Sequence, residues 1–245
     1  MIYVIGIGPG SEDMVTPQAL EALKSCEIIA GYKNYIDLVK KFLPGKNFLS
    51  FPMKSEVLRC QEVLKISREL NKDIALISSG DSGVYGMAGL MLEIASGSGV
   101  DVKIIAGITA ANSCAAILGA PLMNDYVNIS LSDLLTPWDV IKKRLIKACE
   151  GDFVICLYNP ASHHRPENFI KACKIMLEYK SPETPSGFVK NINREGEISQ
   201  VMTLKEIQEC DLIDMSCTVI IGNSQSYILD GKIITSRGYK LGIHS

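Results

Sequence analysis

The sequence predicts an α/β protein in two lobes. Short runs rich in valine and isoleucine alternate with longer segments of helical spacing along most of the chain, the pattern of strands joined by crossover helices. Glycine-rich turns follow several of these runs directly. At 245 residues, the chain nears the length at which one hydrophobic core gives way to two.

Taken in order, IYVIGI (residues 2 to 7) is a β-rich run that ends in glycines. TPQALEALKSC follows with apolar spacing near 3.6 and with Pro17 suited to a first helical turn. EIIAGY then reads as a strand, NYIDLVKKFL as a helix, NFLSF as a short strand and SEVLRCQEVLKISREL as a long amphipathic helix. DIALISSG is an apolar strand that runs into GDSGVYGMAG (80 to 89), from which VYGMAGLMLEIA continues as a helix and VDVKIIAG as a strand. TAANSCAAILGA is a helix of small residues, and PLMNDYVNIS changes character, which places the lobe boundary near residues 120 to 127. The lobes are then 1–120 and 121–245. A second series follows: VNISL, DFVICLY, SGFVKNI and TVIIGN as strands, with VIKKRLIKACE, ENFIKACKIMLEY and TLKEIQEC as helices between them. Strands alternating with helices imply a parallel sheet with crossover helices.

The formal net charge is -2 and the basic residues form no run, which argues against tight binding to nucleic acid or to an anionic membrane surface. No apolar stretch approaches the roughly 20 residues of a spanning helix, and Met1 leads straight into a strand, so the expected location is cytoplasmic. The eight cysteines are scattered without a C-x-x-C pair, and most lie in apolar periodic segments. Buried reduced thiols are the expectation, and no protein-bound metal.

In open α/β sheets, ligands bind beyond the carboxyl ends of the strands. The loop containing Gly6, Gly8 and Gly10, the GDSGVYGMAG loop, GITAA (107 to 111) and YNP (158 to 160) all follow strands, so four loops are candidates for one cleft. The first loop falls short of the dinucleotide fingerprint. Its glycines are spaced G-x-G-x-G, Ser11 takes the place of the third glycine, and Glu27 opens a strand instead of closing one. Glycines in the second loop suit both a tight strand-to-helix turn and close approach of a ligand to bare backbone. On the second reading Asp81 hydrogen-bonds a nucleoside-like ligand, with Val84 and Tyr85 as an apolar wall.

YVIGIGPG, SSGDSGVYGMAG, GITAANSCAAILGAPL, ISLSDLLTPW and CLYNPASHHRPE, in this order, resemble segments of the tetrapyrrole methylases that use S-adenosylmethionine. The resemblance covers nearly the whole chain. SLSDLLTPW and YNPASHHRP resemble most the branch that methylates C-17 of precorrin-3B or cobalt-precorrin-3 in cobalamin biosynthesis. It implies a two-lobed tetrapyrrole methylase fold, with a mostly parallel sheet in the N-terminal lobe, a mixed sheet in the C-terminal lobe and a cleft between them. A homodimer, S-adenosyl-L-methionine as cofactor and a small-molecule tetrapyrrole as substrate are also implied. Around the cofactor the resemblance puts Pro9, Gly80, Asp81, Val84, Tyr85, Thr109 and Ala110, with Tyr158, Asn159, Lys190 and Thr218 from the second lobe. One departure is Ser82, where many relatives carry proline; the missing φ constraint leaves the loop geometry open.

Methyl transfer from a sulfonium to carbon needs alignment and exclusion of water more than proton shuttling, so no catalytic triad is expected. The carboxylate arms of the substrate call for cations, and the candidates are Arg165, then Lys54, Arg59 and Lys33, each of which could equally be a solvated surface charge. The ring contraction that the resemblance implies moves protons. His163 and His164, beside Asn159 in the same turn region, are the candidates, against the reading of exposed loop histidines. Asp133 reads as a helix N-cap ahead of LLTPW, and His244 sits at the carboxyl end without an expected role. Three alternatives stay open: a sister methylase acting at another carbon, a nucleotide-binding module without turnover, and a nicotinamide-dependent oxidoreductase.

Overall fold

Alternating apolar side chains send successive residues to opposite faces of a strand, and the first half of the chain uses both faces. The computed structural model describes residues 1–162 and 166–239, in two compact units, Met1–Ala110 and Ala111–Ser245.

In the first unit, β1 (Ile2–Gly6), β2 (Ile28–Tyr32), β3 (Asn47–Phe51), β4 (Ile74–Ser78) and β5 (Val102–Ile105) form one sheet. Their order is β3-β2-β4-β1-β5, with every pairing parallel. Ile5, Ile29, Ala75, Ile77 and Ile105 face one core with residues of α1 (Pro17–Ser25) and α2 (Lys33–Val39). Ile2, Val4, Ile28, Ala30, Ile74 and Leu76 face the other, with residues of α3 (Glu56–Leu70) and α4 (Ala88–Ala95). The result is a sheet covered by helices on both faces. Pro17 occupies the first turn of α1, and the Thr16 side chain accepts the Ala19 N–H as its cap.

The helix expected from Val84 starts only at Ala88. Tyr85 has φ +54, outside the helical region, and a Cβ on Gly86 would lie 2.5 Å from the Ser82 carbonyl oxygen, so residues 83–87 stay a compact turn.

Ala110 is the first residue of α5 (Ala110–Leu118), so the division between units falls ten residues upstream of the 120/121 division expected from sequence. That helix packs on the second sheet: Cys114 Sγ donates to the Thr218 carbonyl at 3.3 Å, and Leu118 stands against Gly187. The second unit then runs β6 (Gly119–Ala120), β7 (Tyr126–Ser130), α6 (Trp138–Glu150), β8 (Val154–Tyr158), α7 (Glu167–Leu177) and β9 (Pro185–Lys190). It continues through β10 (Ile198–Thr203), α8 (Leu204–Gln208), β11 (Cys217–Ile221), β12 (Ser226–Leu229) and β13 (Lys232–Thr235).

The larger sheet has the order β10-β9-β11-β8-β7 and is mixed, as the family resemblance implies. Only β7 and β8 pair in parallel, and β9 pairs antiparallel with both β10 and β11. The cause is the unforeseen strand Ile198–Thr203, which returns from β9 through a short loop with left-handed Asn191 and Asn193 and leaves no room for a crossover helix. A three-stranded sheet, β12-β13-β6, completes the unit. Leu145, Phe169, Cys173, Phe188, Leu204 and Val219 belong to its single large core.

Asp133 lies in a turn, and α6 begins at Trp138 with Pro137 at the N-cap, so the expected Asp133 cap does not form. Proline disfavours helical backbone in the residue before it, which moves the start of α6 beyond the SLSD segment.

Candidate functional site

On the first unit, the site is built from backbone. β1 and β4 are neighbours, and beyond their ends Gly8 and Gly80 form an isolated antiparallel bridge. Gly8 N–H donates to Gly80 O at 3.1 Å, and Gly80 N–H donates to Gly8 O at 2.7 Å. The loop after β5 joins them so closely that a Cβ on Gly107 would stand 2.2 Å from Gly80 O and 2.6 Å from the Gly6 carbonyl carbon. A Cβ on Gly6 would stand 2.6 Å from Gly107 N. Side chains at these positions are excluded, so much of the glycine content serves contact among three strand-end loops.

Asp81 fastens this assembly. Its Oδ1 accepts the Gly83 N–H at 2.8 Å and its Oδ2 accepts the Gly107 N–H at 2.9 Å. Sequence reasoning gave Asp81 a ligand to bind; the structure gives each carboxylate oxygen a backbone partner from its own or a neighbouring loop. Ser82 is buried, and its hydroxyl lies 3.3 Å from Val4 O and 3.4 Å from Ile105 O, so it links the loop to two strands.

Pro9, Gly80, Asp81, Val84, Tyr85, Thr109 and Ala110 all lie in or beside these loops. A Cβ on Gly80 would meet Ala110 N at 3.6 Å and Thr109 Cα at 3.8 Å, ordinary contact distances, so Gly80 is not crowded as Gly6 and Gly107 are. Tyr85 holds a left-handed φ with its side chain 55% exposed, a conformation unfavourable for a bulky residue. Exposed Tyr85 belongs to the same loop as Gly80 and Asp81, and an aromatic ring with bare backbone is the kind of surface that suits a nucleoside-bearing ligand.

The three cations assigned to the substrate in this unit part company. Lys33 and Lys54 are exposed, but Arg59 is only 4% exposed. Its guanidinium donates to Pro52 O at 3.0 Å and to Met87 Sδ at 3.3 Å, and lies over the Phe51 ring at 5.9 Å. Arg59 is therefore neither the open arm nor the solvated surface charge expected; it ties the loop after β3 to the start of α4. The apolar stem of arginine, flanked by Phe51 and Met87, makes that burial feasible.

On the second unit, side chains do the work. Tyr158, at the end of β8, accepts the Ala111 N–H on its hydroxyl at 2.9 Å. Asn159 has φ +51, and its Nδ2 donates to Ser130 Oγ at 3.0 Å. Ser130 ends β7, so this bond joins two parallel strand ends, a link that the segment NIS did not announce. Lys190, at the end of β9, pairs with Asp214 at 2.7 Å, which holds its ammonium above the usual lysine range. Thr218 pairs with Val189 across the ladder, at the same sheet end as Lys190, and its carbonyl is the acceptor for Cys114. His163, His164 and Arg165, like His244, lie outside the described residues.

Seven of the eight cysteines are buried. Burial pushes the thiols of Cys156, Cys173 and Cys217 up to about 12, which leaves them protonated and unreactive near neutral pH. Among the described residues, no group of three or more His, Cys, Asp or Glu is placed to hold a metal ion, and no helix is long and apolar enough to cross a membrane.

A family model described as Tetrapyrrole (Corrin/Porphyrin) Methylases matches residues 1–208. The chain belongs to the tetrapyrrole methylases. Among curated relatives of this methylase is the probable cobalt-factor III C(17)-methyltransferase of Salmonella typhimurium, 47% identical over 98% of this chain and 100% of the relative. The protein of the same name from Methanocaldococcus jannaschii is 44% identical over 98% of each chain. The cobalt-factor III methyltransferase of Priestia megaterium is also 44% identical over 98% of this chain, which spans 45% of that longer protein. The crystal structure of the methyltransferase CobJ superposes with a TM-score of 0.89 at 32% identity, covering 96% of this methylase and 99% of CobJ. A Thermus thermophilus uroporphyrin-III C-methyl transferase solved with S-adenyl homocysteine shares the fold at 18% identity and a TM-score of 0.73, over 90% of this chain and 96% of that one.

Proposed function

We propose that this methylase transfers a methyl group from S-adenosyl-L-methionine to C-17 of a cobalt-containing tetrapyrrole, with associated ring contraction, in cobalamin biosynthesis. The observation that carries the reading is the 47% identity to the Salmonella relative across the whole of both chains. The names of the Salmonella and Methanocaldococcus relatives specify cobalt-factor III and C(17), which favours the cobalt form over precorrin-3B and C-17 over a sister position. We further infer a homodimer that works in the cytoplasm.

When bound, S-adenosylmethionine supplies a methyl group on a sulfonium, and the departing thioether needs no proton. The chain's part is orientation, and well-oriented reactants account for roughly 7 to 11 kcal/mol of a barrier. On this reading the backbone of Gly80, Thr109 and Ala110 receives the donor, with Pro9 and Val84 beside it and the Tyr85 ring as an aromatic wall. Asp81 acts as a positioning residue, since its oxygens hold Gly83 and Gly107. Tyr158, Lys190 and Thr218 contribute from the second unit. Asn159, held by Ser130, presents its amide near the reacting groups, and His163 and His164 move protons in contraction. Arg165, Lys54 and Lys33 meet the carboxylate arms, whereas buried Arg59 is left to structure.

An anaerobic assay with cobalt-factor III and methyl-labelled S-adenosylmethionine tests the proposal. Label on C-17 of the product is expected, and label at another carbon would reassign the enzyme to a sister step.

A further inference from the structure

The segment between β7 and α6 combines a rigid base with an apolar tip. At its start, Leu131 N–H donates to the Tyr158 carbonyl at 2.9 Å, and the Leu131 carbonyl accepts from buried Asn168 Nδ2 at 3.0 Å. Ser130 Oγ accepts from Asn159 Nδ2 at 3.0 Å and also receives the Ser132 N–H at 3.3 Å. At its far end, Pro137 caps α6 and Trp138 packs against the core of the unit. Between these anchors the chain turns at residues 133–135.

Turn tips ordinarily carry glycine, proline, asparagine, aspartate or serine. Here the tip carries two adjacent leucines, Leu134 at 60% exposure and Leu135 at 98%. Leu135 is packed on almost nothing within the described chain, so its side chain adds little to folding. The location narrows the use. β7 and β8 are parallel neighbours, so this turn leaves the sheet at the same end as Tyr158 and Asn159 and is hydrogen-bonded to them through its base.

Resting on the tetrapyrrole reading above, we propose that Leu134 and Leu135 are the specificity-determining contact for the flat apolar face of the macrocycle. A tetrapyrrole offers a broad conjugated face rimmed by carboxylate arms; two aliphatic side chains suit the face. Because the turn is fixed at both ends, little loop ordering opposes the contact.

The test is the double variant Leu134→Ser/Leu135→Ser of the full chain, with Leu134→Met/Leu135→Met as the conservative control. Both sites are exposed, so thermal stability and the Kd for S-adenosylhomocysteine are expected to match wild type. KM for cobalt-factor III should rise by about tenfold or more in the serine variant and return toward wild type in the methionine variant. A serine variant with unchanged KM overturns the inference while the wild-type activity keeps the functional reading intact. Unchanged KM together with a shift from dimer to monomer in sedimentation would also overturn it and assign the leucines to a second copy of the chain. Wild-type protein that neither binds nor methylates the tetrapyrrole overturns the functional reading, and this inference with it.

Discussion

The two units build their strand-end surfaces from different materials. The first uses backbone: Gly6 and Gly107 approach each other and the Gly80 carbonyl so closely that neither can carry a side chain, and Asp81 acts by holding amides. The second uses side chains, with Asn159 bonded to Ser130 across strand ends and the Tyr158 hydroxyl accepting from Ala111 N–H at the start of α5. A backbone surface tolerates no added atom at Gly6 or Gly107, whereas a side-chain surface loses one bond at a time. The comparison therefore predicts a gradient of mutational cost from the first unit to the second.

The largest effect is expected at Gly107. A Cβ there has Gly80 O at 2.2 Å, and Gly107→Ala should destabilise the protein by about 3 kcal/mol in denaturant unfolding and abolish binding of S-adenosylhomocysteine. Tolerance of alanine would break the account of the glycine cluster. Next, Asp81→Ala leaves the Gly83 and Gly107 amides without their acceptor, for a loss of about 2 kcal/mol. A role confined to ligand contact would instead lower affinity and leave the unfolding midpoint in place.

In the second unit, Tyr158→Phe removes one hydrogen bond to Ala111 and should cost only about 1 kcal/mol. A loss as large as that of Gly107→Ala would erase the contrast between units. Tyr85→Gly sharpens it from the other side. Relief of the left-handed backbone at φ +54 should stabilise the fold by about 1 kcal/mol, while loss of the ring weakens S-adenosylhomocysteine binding; destabilisation would show that the ring packs for the fold.

The smallest effect near neutrality comes from the thiols. Cys156, Cys173 and Cys217, all of the second unit, are raised by burial to about 12, against about 8.5 in an unfolded chain. The folded state keeps protons that the unfolded state releases, so this stability is whole below about pH 8 and is lost as pH climbs from about 9 toward 12. Cys26 and Cys60 of the first unit are raised to about 11. The fluorescence of the sole tryptophan, Trp138 of the second unit, should therefore report alkaline unfolding, and a thiol reagent near pH 8 should modify few groups before it. Rapid modification of most thiols in the native protein would contradict their burial.

Nearly all the helices and the parallel strands could be read from the sequence, because each is a long periodic segment with turn signals at its ends. Ile198–Thr203 could not: ISQVMT is half-exposed at a sheet edge, and its polar residues hide the alternation. Tyr126–Ser130 and its partner were legible as strands, but the Ser130–Asn159 bond joins residues 29 positions apart, a separation that no local pattern encodes. The glycine loops were recognisable as unusual, yet the sequence could not distinguish glycines that make room for a ligand from those that make room for one another. Arg59 misled for a related reason. Its neighbours Phe51 and Met87 come from other elements, and burial of a cation is a property of the assembled packing.

On the reading proposed above, the strand-end loops of the first unit hold S-adenosylmethionine. Calorimetric titration of the purified protein with S-adenosylhomocysteine, with NAD as comparator, tests it most directly. Saturable binding of S-adenosylhomocysteine is expected, weakened in Asp81→Ala, with no heat from NAD; binding of NAD alone, or S-adenosylhomocysteine affinity untouched by Asp81→Ala, would overturn this assignment.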